Sequence, residues 1–101
     1  MWILVMFDLP TDTKLQRKAA GDFRNFLLDT GYARCQFSIY ARFVNGKEAV
    51  DTRVNQIERA LPPSGDVQIL NFTDRQFGDI VHFSDQGRRG PRKNPEQLVL
   101  F

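Results

Sequence analysis

Six consecutive apolar residues, Trp2-Ile3-Leu4-Val5-Met6-Phe7, lie ahead of a single carboxylate, Asp8, and the pair Leu9-Pro10. The run is too short for a buried helix and is rich in β-branched and aromatic side chains. It is apolar at both odd and even positions, as in a central strand covered on two faces. Such a strand needs partners along both edges and cover above and below. With 101 residues, 42% of them hydrophobic and nine of them Phe, the chain can supply that cover for one compact domain and not for two. A charge at the tip of a strand built for burial must be solvated, paired or metal-bound. Asp8, which shares parity with Trp2, Leu4 and Met6, is therefore the first candidate for chemistry.

Beyond Thr13 the apolar period changes from that of a strand to that of a helix. Leu15, Ala19, Phe23, Phe26 and Leu27 fall on one face, Thr13 with Gln16 matches a capping box, and Gly31 is placed to end the helix. From Arg34 to Phe43 the chain alternates again. Cys35, Phe37, Ile39, Ala41 and Phe43 share one face, and Arg34, Gln36, Ser38, Tyr40 and Arg42 share the other, polar one. Asn45-Gly46 signals a turn that leads into a second helix directly or after a short hairpin. That helix carries Val50, Val54, Ile57 and Leu61 and stops at Pro62-Pro63-Ser64-Gly65. Val67 to Phe72 reads as a strand, Thr73 and Gln76 as the caps of a single helical turn, and Ile80-Val81-His82-Phe83 as a last short strand. Two strand-helix-strand halves with both helices on one face of an antiparallel sheet make the economical packing, an α+β, ferredoxin-like βαββαβ sandwich over residues 1–84.

The net charge of +2 conceals an asymmetry. Residues 1–86 hold ten Lys and Arg against eleven Asp and Glu, whereas residues 87–101 hold four against one. Residues 85–95 read as a basic linker. Leu98-Val99-Leu100-Phe101, within the apolar segment 96–101, is expected to dock as a strand on a partner, by preference across a homodimer. The lone Cys35 rules out an intrachain disulfide and a cysteine zinc cluster, and a reducing cytoplasm is the expected setting. No signal-like start and no apolar run near the roughly 20 residues that cross a bilayer is present, so a soluble protein with no membrane partner is expected.

The ordered segments Phe7-Asp8-Leu9-Pro10, Gln36-Phe37-Ser38-Ile39-Tyr40, Gly65-Asp66-Val67-Gln68-Ile69-Leu70 and Thr73-Asp74-Arg75-Gln76-Phe77 resemble the Cas-two family, the small CRISPR-associated proteins of spacer acquisition. The resemblance runs over nearly the whole chain. It implies a ferredoxin-like homodimer and a magnesium-dependent endonuclease, chiefly an endoribonuclease and sometimes one acting on double-stranded DNA. It also implies a partnership with the CRISPR integrase, which such dimers bridge while holding duplex DNA. The family's metal-binding and catalytic aspartate maps onto Asp8, its aromatic neighbour onto Phe7 where many members have Tyr, and the second-strand motif onto Gln36, Phe37, Ser38 and Tyr40. The basic residue ahead of that motif is Arg34. Phe7, Ser38 and Tyr40 are thereby expected to support the metal site.

A single chain presents no second carboxylate with an evident claim on Asp8's site, because Asp12 belongs to the next loop. A two-fold dimer could set two copies of Asp8 around one Mg²⁺. The alternative is that Asp8 caps backbone groups in the Leu9-Pro10 turn. His82 and Ser38 lack the partners of a general base or nucleophile and read as structural.

Lys14, Arg17 and Lys18 stand in the opening turns of the first helix, where the dipole disfavours cations. They point to a phosphate partner or to an ordinary solvated face. Arg34 and Arg42 add charge to the second strand, and Arg88, Arg89, Arg92 and Lys93 form a basic arm able to follow duplex DNA or single-stranded RNA without reading sequence. A stand-alone, toxin-like ribonuclease of the same fold is the competing reading, and a small-molecule or peptide module is the third.

Overall fold

The structure is a computed structural model that describes residues 1–85 and 87–89. It contains β1 (Trp2–Asp8), α1 (Lys14–Asp29), β2 (Ala33–Gln36), β3 (Ile39–Phe43), α2 (Gly46–Arg59), β4 (Asp66–Phe72), α3 (Asp74–Gly78), β5 (His82–Ser84) and β6 (Gly87–Arg89). Four strands form an antiparallel sheet in the order β2-β3-β1-β4. With α1 joining β1 to β2 and α2 joining β3 to β4, this is the expected ferredoxin-like α+β arrangement.

β1 is central, as its composition requires. Ile3, Val5 and Phe7 face α1 and α2 in a core with Phe23, Leu27, Tyr32, Tyr40, Val44, Val50 and Ile57. Trp2 points to the other face, where Cys35, Ala41 and Phe77 surround it. Its indole stacks on Phe77 at 4.1 Å between ring centroids. A short α3 thus covers part of the second face, and Cys35 is buried there as its parity suggested.

Local signals in the sequence set the helix ends. Thr13 Oγ1 accepts from the Gln16 amide while Gln16 Oε1 accepts from the amides of Asp12 and Thr13, and Thr73 with Gln76 repeats the box at α3. Gly31 takes φ +92° just beyond the end of α1, beside the Arg42 guanidinium, which donates to the Thr30 carbonyl. Gly65, at φ +99°, lets the chain pass against the Asp8 carbonyl, where an added Cβ would lie 2.8 Å away.

Three expectations are corrected. The segment Arg34 to Phe43 is not one strand: it folds as a hairpin, β2 and β3, with its turn at Phe37-Ser38 and a register shift between Arg34 and Gln36. The turn puts Phe37 outside the core, 69% exposed, whereas Tyr40 keeps the face opposite Cys35, Ile39 and Ala41; that face, read as polar, packs into the helix-covered core, where Tyr40 is 3% exposed. The buried face of α1 is Ala20, Phe23 and Leu27, which leaves Leu15 outside that arc and exposed. The strand near residue 83 does not join the main sheet. It pairs with Gly87–Arg89, residues that the composition had assigned to the linker, in a separate hairpin. The remainder of the expected linker and the terminal segment 96–101 lie outside the described residues. Among the described residues, no helix is long and apolar enough to cross a membrane.

The Tyr32 hydroxyl is buried, and no described protein group hydrogen-bonds to it. Loss of solvent pushes its pKa above the ordinary 10.0, with Arg42 and Arg53 opposing the shift. A raised folded-state pKa stabilises below the unfolded value and is lost as pH climbs through the folded one. Urea unfolding should therefore show a decline in stability starting near pH 10, and Tyr32→Phe should flatten that decline.

Candidate metal and nucleic-acid site

β1 carries Asp8 out of the core to an exposed position at the end of the strand. Its neighbour Phe7 is buried, edge-on to Phe23 and stacked with Tyr40 at 5.7 Å between centroids. The main chain here is fixed from both sides. Phe7 N–H donates to the Ser38 carbonyl at 3.1 Å, and β4 pairs with β1 along its whole length.

That pairing sets Asp66 directly opposite Asp8. Side chains opposite one another on an antiparallel ladder share a face, with Cβ atoms about 4.5–5.5 Å apart. The second carboxylate that the sequence did not reveal is thus in the same chain, 58 positions away. Its signal was present as the acidic first residue of the strand after Gly65, but only the register joins the two.

Asp8 and Asp66 line a depression of about 410 Å³ together with Met6, Phe7, Ser38, Ile39 and Gln68. Its polar side chains offer oxygen donors from two carboxylates, a hydroxyl and an amide, with no Cys or His. This donor set suits a hard cation such as Mg²⁺ and disfavours zinc. Among the described residues no group of three His, Cys, Asp or Glu converges. The protein contribution from one chain is therefore a carboxylate pair, with room for water and substrate oxygen.

The other expected residues fall in different places. Ser38 is in the depression, but Tyr40 lies behind Phe7 in the core and does not line it. Arg34 reaches the Phe37 ring, its Cζ 5.3 Å from the centroid. Arg24, which no sequence motif singles out, stands at the same 5.3 Å from Phe37 and 5.9 Å from Phe7. Arg42 is turned inward to the α1 terminus, where a cation complements the helix dipole.

On α1, Lys18 pairs with Asp22 at 2.8 Å, and the hydrogen bond, then the charge, of that carboxylate raises its pKa. Arg17 donates to the carbonyls of Thr11 and Asp12. Lys14 is exposed. His82 is buried in β5 and is not among the residues lining the depression. Arg88 and Arg89 lie in β6, opposite Phe83 and His82. Arg92, Lys93, Leu98, Val99, Leu100 and Phe101 lie outside the described residues.

Like charges facing across a ladder destabilise it. In chelator at low salt, Asp66→Asn should raise the unfolding free energy by a few tenths of a kcal/mol, because both groups are exposed. Denaturant titration should show the gain shrinking as salt is added.

Comparison with known proteins converges on one family. Residues 1–80 match the family CRISPR associated protein Cas2. The CRISPR-associated endoribonuclease Cas2 of Paracidovorax avenae is 48% identical over 101 residues, covering all of this chain and 94% of that protein. Proteins of the same name from Flavobacterium psychrophilum and Parvibaculum lavamentivorans are 42% and 40% identical across the whole chain, which spans 88% and 100% of their lengths.

Proposed function

The chain belongs to the CRISPR-associated Cas2 family, and we propose that it is a magnesium-dependent endonuclease, chiefly an endoribonuclease, that serves CRISPR spacer acquisition as a homodimer. The observation that carries this reading is the exposed Asp8 at the end of a buried central strand, opposite Asp66 in an oxygen-lined depression.

Asp8 and Asp66 are the residues to hold the cation, and the fit rests on their shared face and on the hard donors around them. Magnesium bound there would supply Lewis acidity toward a phosphoryl oxygen and a water of lowered pKa. The chain's own part is positional. β1 and β4 fix the carboxylates, Ser38 contributes a hydroxyl at the wall, and Arg24 and Arg34 place positive charge beside it for the phosphate backbone.

Among the described residues no His, Lys or Cys lines the depression, and carboxylate and solvent are the groups there that can move protons. Phe7 has no group to donate or accept, so no phenol acts from that position. A dimer that brought a second Asp8 to the same place would add donors to a pair already present in each subunit.

A scaffolding role rests on a separate feature, the concentration of basic residues and the apolar Leu98-Val99-Leu100-Phe101 within positions 87–101. We assign this segment to integrase binding and to the backbone of duplex DNA, with Lys14 adding to the latter.

Purified protein incubated with Mg²⁺ and single-stranded RNA or duplex DNA should cleave. Asp8→Ala should lose on the order of a hundredfold or more in rate while keeping its fold and its oligomeric mass, and EDTA should abolish cleavage. Equal cleavage by wild type and Asp8→Ala would remove the assignment. In cells, removal of residues 90–101 should abolish spacer acquisition, scored by growth of the repeat array. Asp8→Ala should leave acquisition intact if holding DNA and integrase is the dominant task.

A further inference from the structure

The aromatic ring at the tip of the β2–β3 hairpin is exposed in an unusual setting. Phe37 is 69% exposed, and a lone exposed apolar residue would be unremarkable. Here two guanidinium groups from different elements, Arg24 of α1 and Arg34 of β2, each stand 5.3 Å from the ring centroid. Arg24 also stands 5.9 Å from the Phe7 ring, which is anchored in the core. Among the described residues the ion pairs are Met1–Asp74 and Lys18–Asp22, so neither guanidinium is neutralised by a carboxylate. The next residue along the chain, Ser38, lines the depression that holds Asp8 and Asp66.

A flat apolar surface beside two unneutralised cations, next in the chain to a residue that lines the depression with the carboxylate pair, selects its partner by chemistry. An acidic peptide would match the charge and leave the ring without a planar counterpart. Duplex DNA would match the charge, but its bases are stacked within the helix and offer no face. An unstacked nucleotide supplies both a π face for the ring and a phosphate for the guanidinium groups.

We infer that Phe37, flanked by Arg24 and Arg34, is a base-stacking platform that holds a nucleotide of single-stranded RNA beside the Asp8 site. This assignment rests on the nuclease reading above and deepens it: it makes the site selective for single strands through stacking, and not through base-edge hydrogen bonds. The cation–π contacts hold the arginines near the ring before RNA arrives, which reduces the ordering cost of binding.

The test is fluorescence anisotropy in EDTA, so that binding is read without cleavage. The probes are a labelled single-stranded RNA of about 12 nucleotides and duplex DNA of equal length. Phe37→Ala should weaken RNA binding about tenfold, the effect of one lost base stack, and leave duplex DNA affinity unchanged. Phe37→Trp should retain RNA affinity. Arg24→Gln should lower the steepness with which RNA affinity falls as salt rises.

Unchanged RNA affinity in Phe37→Ala, with wild type binding normally, would overturn the platform and leave the nuclease reading standing. Absence of RNA binding by wild type itself would also overturn the platform, while the cleavage assay with Mg²⁺ decides the nuclease reading separately. A change in the oligomeric mass of Phe37→Ala by sedimentation would also overturn the assignment, since the ring would then be serving a protein contact.

Discussion

Everything in this fold is organised by the burial of β1 on both faces. A strand that puts Ile3, Val5 and Phe7 into one core and Trp2 into another cannot sit at an edge, and it obliges β3 and β4 to flank it. Once it is central, its C-terminal end is the only part that leaves the core. The carboxylate there is then held by a main chain that is hydrogen-bonded on both sides. The chemistry proposed for Asp8 depends on this contrast, in which an exposed charge is carried at the end of a buried strand that is paired along both edges.

Much of the fold was legible because its signals are local. The apolar run of β1, the two capping boxes at Thr13 and Thr73 and the glycine after α1 each declare themselves within a few residues. The hairpin hidden in Arg34 to Phe43 did not. A two-residue turn leaves the odd-even pattern nearly continuous, and Phe37 and Ser38 carry none of the Gly or Asn that usually mark such turns. Tyr40 keeps the face its parity gives it, but that face, polar in most of its residues, is the one the helices cover, and this depends on packing that no local pattern displays. Leu15 was misplaced because five apolar residues on a helix define a wider arc than the sheet covers.

The site divided in the same way. Asp8 was identified from its immediate neighbours. Asp66 was not, because its claim exists only through a ladder between strands far apart in sequence. Arg24 escaped notice because a single arginine on a polar helix face looks like any other; the ring it approaches belongs to a different element. Functional neighbourhoods assembled from separate strands and helices are the ones that periodicity cannot show.

The Arg42 guanidinium, donating to the Thr30 carbonyl beside Gly31, has a mechanical consequence. It ties the C-terminal end of α1 to β3, and β3 is one arm of the hairpin that carries Phe37. Arg24 rides on that helix and Phe37 on that hairpin, so the tie acts as a brace that keeps the two in step.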